Sequence, residues 1–307
     1  MEAGERLTDE QKQTADLAHD IEVVRPDRQT APVIFASPHS GRRYPEEFIC
    51  QSRLSAHHLR RSEDAFVDEI FAAAPDHGAP FLRAHFPRAY VDANRHPWEL
   101  DPGMFSEPLP DYVTTSSPRI AAGLGTVPKI VANGATIYSA RLSFADARQR
   151  IRSCHLPYHD ALTRLISDTT ALFGGCLLVD CHSMPSSGSG RNSKFADIVI
   201  GDGYGKSCSR EIVGLVVQRF RDFGYSVALN KPYAGGYTTR HYGRPLEGVH
   251  AFQIEISRAL YMDETRIERR AGLDRLTGHA SDLIAALSAI DPELLSVPLR
   301  ANLTAAE

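Results

Sequence analysis

The chain has 307 residues, 42% of them hydrophobic and 23% charged, which is material for one large α/β domain or two small ones. Its 34 lysines and arginines against 38 aspartates and glutamates leave a formal charge of −4 with interspersed signs, which argues against nucleic acid or an anionic membrane as partner. Five cysteines (Cys50, Cys154, Cys176, Cys181, Cys208) form no CxxC pair, and no secretory leader or membrane-length apolar run is visible, so a soluble cytoplasmic protein with reduced thiols is expected.

Residues 1–30 are polar, end at Pro26-Asp27-Arg28 and read as a peripheral lead-in with room for one surface helix, ahead of a single α/β domain over 31–307. Val33-Ile34-Phe35-Ala36 has the length and β-branched content of a buried strand. It stops at Ser37-Pro38, because proline has no N–H to give a ladder, and then presents His39, Ser40 and Gly41. The following segment, 42–58, reads as irregular, with His57 and His58 at the surface. Leu59–Ala74 has helical periodicity, with Ser62 as N-cap and Glu63 and Asp64 in the first turn. Either acid there could answer the helix dipole or direct a carboxylate at His39.

Ala79–Phe86 reads as a second strand and leads into a polar segment. Its Arg88 and Arg95 are candidates for holding an anion, or for pairing with Asp92 or Glu99. Pro97–Pro128 lacks periodicity and is long for a structureless connection, which makes it a candidate binding loop. Asn133-Gly134 signals a hairpin. Ser143–Phe173 is helical, interrupted near Pro157 and ended by Gly174-Gly175.

Cys176–Ser183 is then a second apolar run finishing in His-Ser, followed by a flexible loop at 184–193. Ala196–Ile200 and Tyr225–Asn230 are strands on either side of an amphipathic helix at Ser207–Phe223. Lys231–Pro245 is a second long polar loop. In the strand Val249–Ile256, Glu255 sits in apolar company and needs a partner or a function, because a buried unpaired carboxylate is costly. Arg266–Ile290 closes the chain as a helix.

Strands alternating with helices predict a three-layer α/β domain, in which His39, His182 and Glu255 can converge on one rim. Two histidines and a carboxylate with an open fourth position form the ligand set of a hydrolytic zinc site, and a further free glutamate would serve as base. A cysteine–histidine nucleophile would have to use Cys181 or Cys154. Cys181, next to His182 in an extended segment, should face the other way.

The motifs SPHSG (Ser37–Gly41), SEDAFVDEIF (Ser62–Phe71), VDANR (Val91–Arg95), DCHS (Asp180–Ser183) and GGYTTRHYGRPLEGVHAFQIEISRALYMDE (Gly235–Glu264) carry a resemblance to the N-formylglutamate amidohydrolases. That family is similar to the zinc carboxypeptidases and aspartoacylases. The resemblance implies an α/β domain with a central mixed sheet flanked by helices, one Zn2+ per chain, and a small N-acyl amino acid as substrate. It implies His39, Asp64 and His182 as metal ligands, with Asp64 preferred to Glu63, and Glu255 as general base. Asn94 and Arg95 match the family's carboxylate-binding pair, and Arg88 matches the arginine that polarises the scissile carbonyl. Arg240 is assigned to a second substrate carboxylate. The long separation of His39 from its acid departs from the compact HxxE of carboxypeptidases, so Asp64 rests on the amidohydrolase branch. Hydrolysis of N-formylglutamate is the expected activity. Another N-acyl amino acid, a peptide C-terminus, or a non-catalytic zinc protein are the alternatives.

Overall fold

Three apolar runs of the chain settle side by side. In the computed structural model, which describes residues 20–186 and 196–296, they lie in the seven-stranded sheet formed by β1 (Ile21–Val24), β2 (Val33–Ser37), β3 (Phe81–Ala84), β4 (Cys176–Met184), β5 (Ile198–Gly201), β6 (Val227–Leu229) and β7 (Val249–Ser257). The order is β1-β3-β2-β4-β7-β5-β6. Strands β3, β2, β4 and β7 run parallel, while β1 joins β3 and β5 joins β7 antiparallel. Every residue of β2, β4 and β7 is buried, as required of strands covered on both faces.

The cover comes from α1 (Val67–Ile70), α2 (Leu156–Phe173), α3 (Arg210–Asp222), α4 (Tyr237–Tyr242) and α5 (Gly272–Ser288). Strand alternation sorts the contacts. Phe35, Leu177, Val179, Phe252 and Ile254 cluster with α1, α3 and α5, whereas Ile34, Ala36, Leu178 and Ala251 cluster with Tyr158, Leu162 and Leu165 of α2. The result is the expected three-layer α/β fold with a mixed sheet. A third apolar cluster (Phe48, Leu100, Val113, Val131, Ile137) gathers much of the irregular stretch between β3 and α2. Buried Arg150 braces it, with its guanidinium 4.5 Å from the Tyr90 ring and Nη1 donating to Tyr138 Oη at 2.7 Å. Among the described residues no helix is long and apolar enough to cross a membrane, and all five cysteines are free thiols.

Four expectations are corrected. Residues 21–24, read as part of a peripheral lead-in, form an edge strand: Ile21 and Val23 pack inward while Glu22 meets Arg83 at 2.8 Å. Four residues are too short a run to announce themselves by periodicity. The segment 42–58, read as irregular, includes helices at Glu46–Gln51 and Ala56–Leu59. The single helix expected over 59–74 is broken, with Glu63 extended and Phe66 left-handed (φ 67°) before α1 begins. Ser62 Oγ accepts from the Ala132 N–H and caps nothing. The closing helix starts at Gly272, after a small two-stranded ribbon that includes Glu268–Arg269. Pro157 does interrupt its helix, as a π-turn over Ile151–His155, and Gly174 ends α2 in a left-handed cap. Of the loop read at 184–193, residues 187–193 lie outside the described residues.

His155 and His159 fasten the segment that leaves β3. Their Nε2–H groups donate to the carbonyls of Arg95 (2.9 Å) and Ala93 (2.8 Å), and Tyr242 Oη donates to His159 Nδ1 at 2.8 Å. Burial holds both rings neutral, pushing them down to about 4 and about 3 respectively from an ordinary value of 6.5, against the carbonyl bonds that favour the charged form. Below pH 6.5 the unfolded chain takes up protons that the folded one refuses, so their contribution is complete above that pH and is lost as pH falls toward 4 and 3. Urea unfolding at pH 7, 6 and 5 should show His159→Gln flattening the wild-type pH slope by about 1.4 kcal/mol per pH unit below 6.5. Parallel wild-type and variant profiles would count against neutral burial.

Candidate active site

The carboxyl ends of β2, β4 and β7 form the floor of the site. On the α2 side of the sheet, β4 begins with Cys176 and Leu178 and continues with Asp180 and His182, while β7 begins with Val249 and Ala251 and continues with Gln253 and Glu255. One face thus changes from apolar to polar as it reaches the rim. The ladder sets His182 opposite Glu255. Cys181, on the alternate face, packs in the core, so it cannot serve His182 as a nucleophile.

His39 arrives from the turn after β2. Gly41 permits this turn, since a Cβ there would stand 2.0 Å from the Phe86 carbonyl oxygen. Ser40 ties the turn to the segment ahead of α1: its Oγ donates to the Asp64 carbonyl (3.1 Å) and accepts from the Asp68 N–H (3.1 Å). The extended backbone at Glu63 sends adjacent acids in different directions. Glu63 is held by Tyr44 (2.8 Å) and Arg60 (3.0 Å), while Asp64 enters the site.

Three donor atoms converge. His39 Nδ1 and His182 Nδ1 are 3.1 Å apart and lie 3.3 and 3.1 Å from Asp64 Oδ2. A tetrahedral ion with bonds of ~2.0–2.1 Å has ligand atoms ~3.3 Å apart, so the trio matches the donor set and spacing of a zinc site. The far nitrogen of each ring is fixed as well. His39 Nε2 donates to Asp92 Oδ1 at 2.7 Å, and His182 Nε2 to Asp180 Oδ2 at 2.8 Å. These bonds select the tautomer that turns each Nδ1 lone pair inward. Asp64 Oδ1 accepts from Arg258 Nη2 at 3.0 Å, leaving Oδ2 for the centre.

Asp64, Asp92, Asp180 and Glu255 are all buried here, against the guanidiniums of Arg88, Arg95 and Arg258. Burial opposes ionisation of Asp92, but Arg95, Arg88 and His39 outweigh it and hold the carboxyl well below the usual range. Burial likewise opposes ionisation of Asp64, which Arg258 and Arg88 pair as a carboxylate. Glu255 responds differently: burial pushes it up to about 7. Its Oε1 accepts from Gln253 Nε2 at 3.0 Å. The carboxylate surplus is one that a cation at the His39–Asp64–His182 convergence would offset.

A cavity of about 440 Å³ opens over these groups, bordered by His39, His182, Glu255, Arg88, Arg95 and Arg119 among others. Arg88 and Arg95 each pair with Asp92 (2.9 and 3.5 Å) and each borders the cavity. Asn94 borders it too and braces the site. Nδ2 donates to Asp180 Oδ2 (3.3 Å) and lies 3.1 Å from His182 Nε2, and Oδ1 accepts from the Thr238 N–H (2.9 Å). The second Nδ2 hydrogen has no acceptor among these bonds. Arg240 stands outside the wall: α4 buries Thr238, Thr239 and Tyr242, which turns Arg240 to solvent.

A family model described as N-formylglutamate amidohydrolase matches residues 31–262. The chain belongs to the N-formylglutamate amidohydrolase family. It is 29% identical over 248 residues to an N-formylglutamate deformylase of Pseudomonas aeruginosa, covering 79% of this chain and 86% of that protein. To an N-formylglutamate deformylase of Pseudomonas putida it is 27% identical over 241 residues, covering 76% and 83%. The crystal structure of N-formylglutamate amidohydrolase from Ralstonia eutropha JMP134 matches with a TM-score of 0.83 and 33% identity, over 88% of this chain and 97% of that one.

Sequence reasoning missed several residues of this amidohydrolase-family site. Asp180 could have been found, since it shares a strand face with His182 two positions on. Asp92 lies inside VDANR, where it was read only as a partner for arginine. Arg258 gave no signal, because its bond to Asp64 spans 194 positions.

His39→Ala and His182→Ala proteins should retain far less than one equivalent of zinc after dialysis. Asp180→Asn should still bind, with affinity weakened ~10–100-fold in a chelator competition. Wild-type affinity in His182→Ala would remove the centre described above.

Proposed function

We propose that the protein is a zinc-dependent amidohydrolase that cleaves N-formyl-L-glutamate to formate and glutamate. The observation that carries this reading is Glu255: a buried carboxyl near neutrality in pKa, set across a strand ladder from a histidine of the His-Asp-His trio and open to a cavity with arginines. The names of the related proteins support the substrate, and the donor set supports the metal.

His39 and His182 through Nδ1, and Asp64 through Oδ2, are the residues that would hold the ion. Zinc, when bound, supplies Lewis acidity that brings the pKa of water down toward ~7. Glu255 takes a proton from the attacking water. As oxygen adds to the formyl carbon, negative charge gathers on the carbonyl oxygen. Arg88 answers it, because Asp92 and Asp64 outweigh burial and keep the guanidinium protonated. Glu255 then returns the proton to the amine nitrogen, the carbon–nitrogen bond breaks, and formate and glutamate leave. Arg95, anchored by Nε to the Leu124 carbonyl (2.9 Å), holds the substrate's α-carboxylate.

Glu255→Gln should lower kcat for formate release from N-formylglutamate by ~10²–10⁴-fold while zinc content stays at the wild-type level. Turnover within threefold of wild type would show that another group is the base.

A further inference from the structure

The sheet rim supplies His39, His182 and Glu255, while much of the remaining cavity wall comes from the aperiodic stretch between β3 and α2, facing the segment at 232–236, and that stretch includes one arginine that no role above uses. Arg119 belongs to a single helical turn, Pro118–Ala121. Its backbone carbonyl accepts from the Leu124 N–H at 2.8 Å, and the Leu124 carbonyl in turn accepts from Arg95 Nε at 2.9 Å. Arg95 itself reaches Asp92, which holds His39. A continuous line of bonds thus runs from the reacting centre through Arg95 to Arg119, one step further out.

The other arginines of the wall each carry bonds to the protein that fix their position. Arg88 bonds Asp92, Arg95 bonds two carbonyls and Asp92, and Arg258 bonds Asp64, Ser183 and the Arg61 carbonyl. The Arg119 guanidinium donates no hydrogen bond within the described residues, and the one carboxylate within 4.0 Å is that of Glu99, whose Nη1–Oε2 distance is 4.0 Å. Glu99 is already engaged by Ser117 Oγ. Burial and then neighbouring Arg240 work against the charge on Arg119, with Glu99 opposing. A half-buried guanidinium with free donors, on the wall of a cavity and short of negative charge, is built to receive an anion.

We propose that Arg119 binds the side-chain carboxylate of the substrate and is the residue that selects N-acylated dicarboxylic amino acids over neutral ones. Arg95, joined to His39 through Asp92, suits the α-carboxylate next to the scissile amide, and Arg119, farther along, suits the carboxylate at the other end. The proposal rests on the hydrolase reading above.

The test compares zinc-loaded wild type, Arg119→Gln and Arg119→Lys on N-formyl-L-glutamate and N-formyl-L-glutamine. In Arg119→Gln, KM for N-formylglutamate should rise on the order of 10–100-fold with kcat within about threefold, while the constants for N-formylglutamine hold within about threefold. Arg119→Lys should recover part of the loss, and it carries the comparison alone if thermal melts show Arg119→Gln unfolded. A variant that keeps the wild-type preference for N-formylglutamate overturns the proposal. If wild type hydrolyses neither compound, the activity reading fails by itself. Calorimetric titration with glutarate then decides the subsite, with binding weakened on the order of 10–100-fold in Arg119→Gln supporting it and equal binding overturning it.

Discussion

The structure depends on two imidazoles being held with their Nδ1 atoms 3.1 Å apart in a buried setting. Left to themselves the two rings would have no reason to meet. Each is pinned from behind by a buried carboxylate, Asp92 for His39 and Asp180 for His182, while Asp64 closes the third side. Burying that much negative charge is unfavourable unless it is answered, and Arg88 and Arg258 answer it with short bonds to Asp92 and Asp64. Removing one guanidinium would leave its carboxylate with fewer partners in a buried setting, which is unfavourable. The site is therefore a charge lattice in which each ligand is aimed by a second residue.

The sheet and the irregular segments divide the work. Parallel strands β2, β4 and β7 bring His39, His182 and Glu255 to one rim from distant parts of the sequence, with a backbone fixed by ladder bonds on both sides. Chemistry that tolerates little displacement sits on this rigid floor. Much of the surrounding cavity wall is built from the stretch between β3 and α2, packed around its own apolar cluster and braced by Arg150. Its geometry rests on side-chain packing and on turn and loop backbone bonds outside any ladder, such as Thr126 N–H to the Glu99 carbonyl at 2.8 Å. Variation there could retune recognition without disturbing the floor.

How much of this was legible in the sequence follows from the same division. The buried strands could be read because continuous apolar runs of that length have few alternatives, and a histidine at the end of each placed the rim. Glu255 could be read because a carboxylate among apolar residues demands an explanation. The choice of Asp64 over Glu63 came from family resemblance; the extended Glu63 backbone and the left-handed Phe66, which no helical periodicity encodes, place Asp64 and not Glu63 beside the two histidines. Arg240 was misjudged because its loop forms a helical turn that faces it outward, and Arg119 was overlooked because an aperiodic stretch gives no clue to which side chain turns inward. The braces Asp180 and Arg258 depend on contacts across the fold.

The central claim is that His39, Asp64 and His182 hold one zinc ion. X-ray absorption spectroscopy of the protein loaded with one equivalent of zinc tests it directly. The account predicts a shell of nitrogen and oxygen at ~2.0–2.1 Å with the outer-shell signature of two imidazoles and no sulfur. Sulfur at ~2.3 Å, or an oxygen-only shell without imidazole, would contradict it.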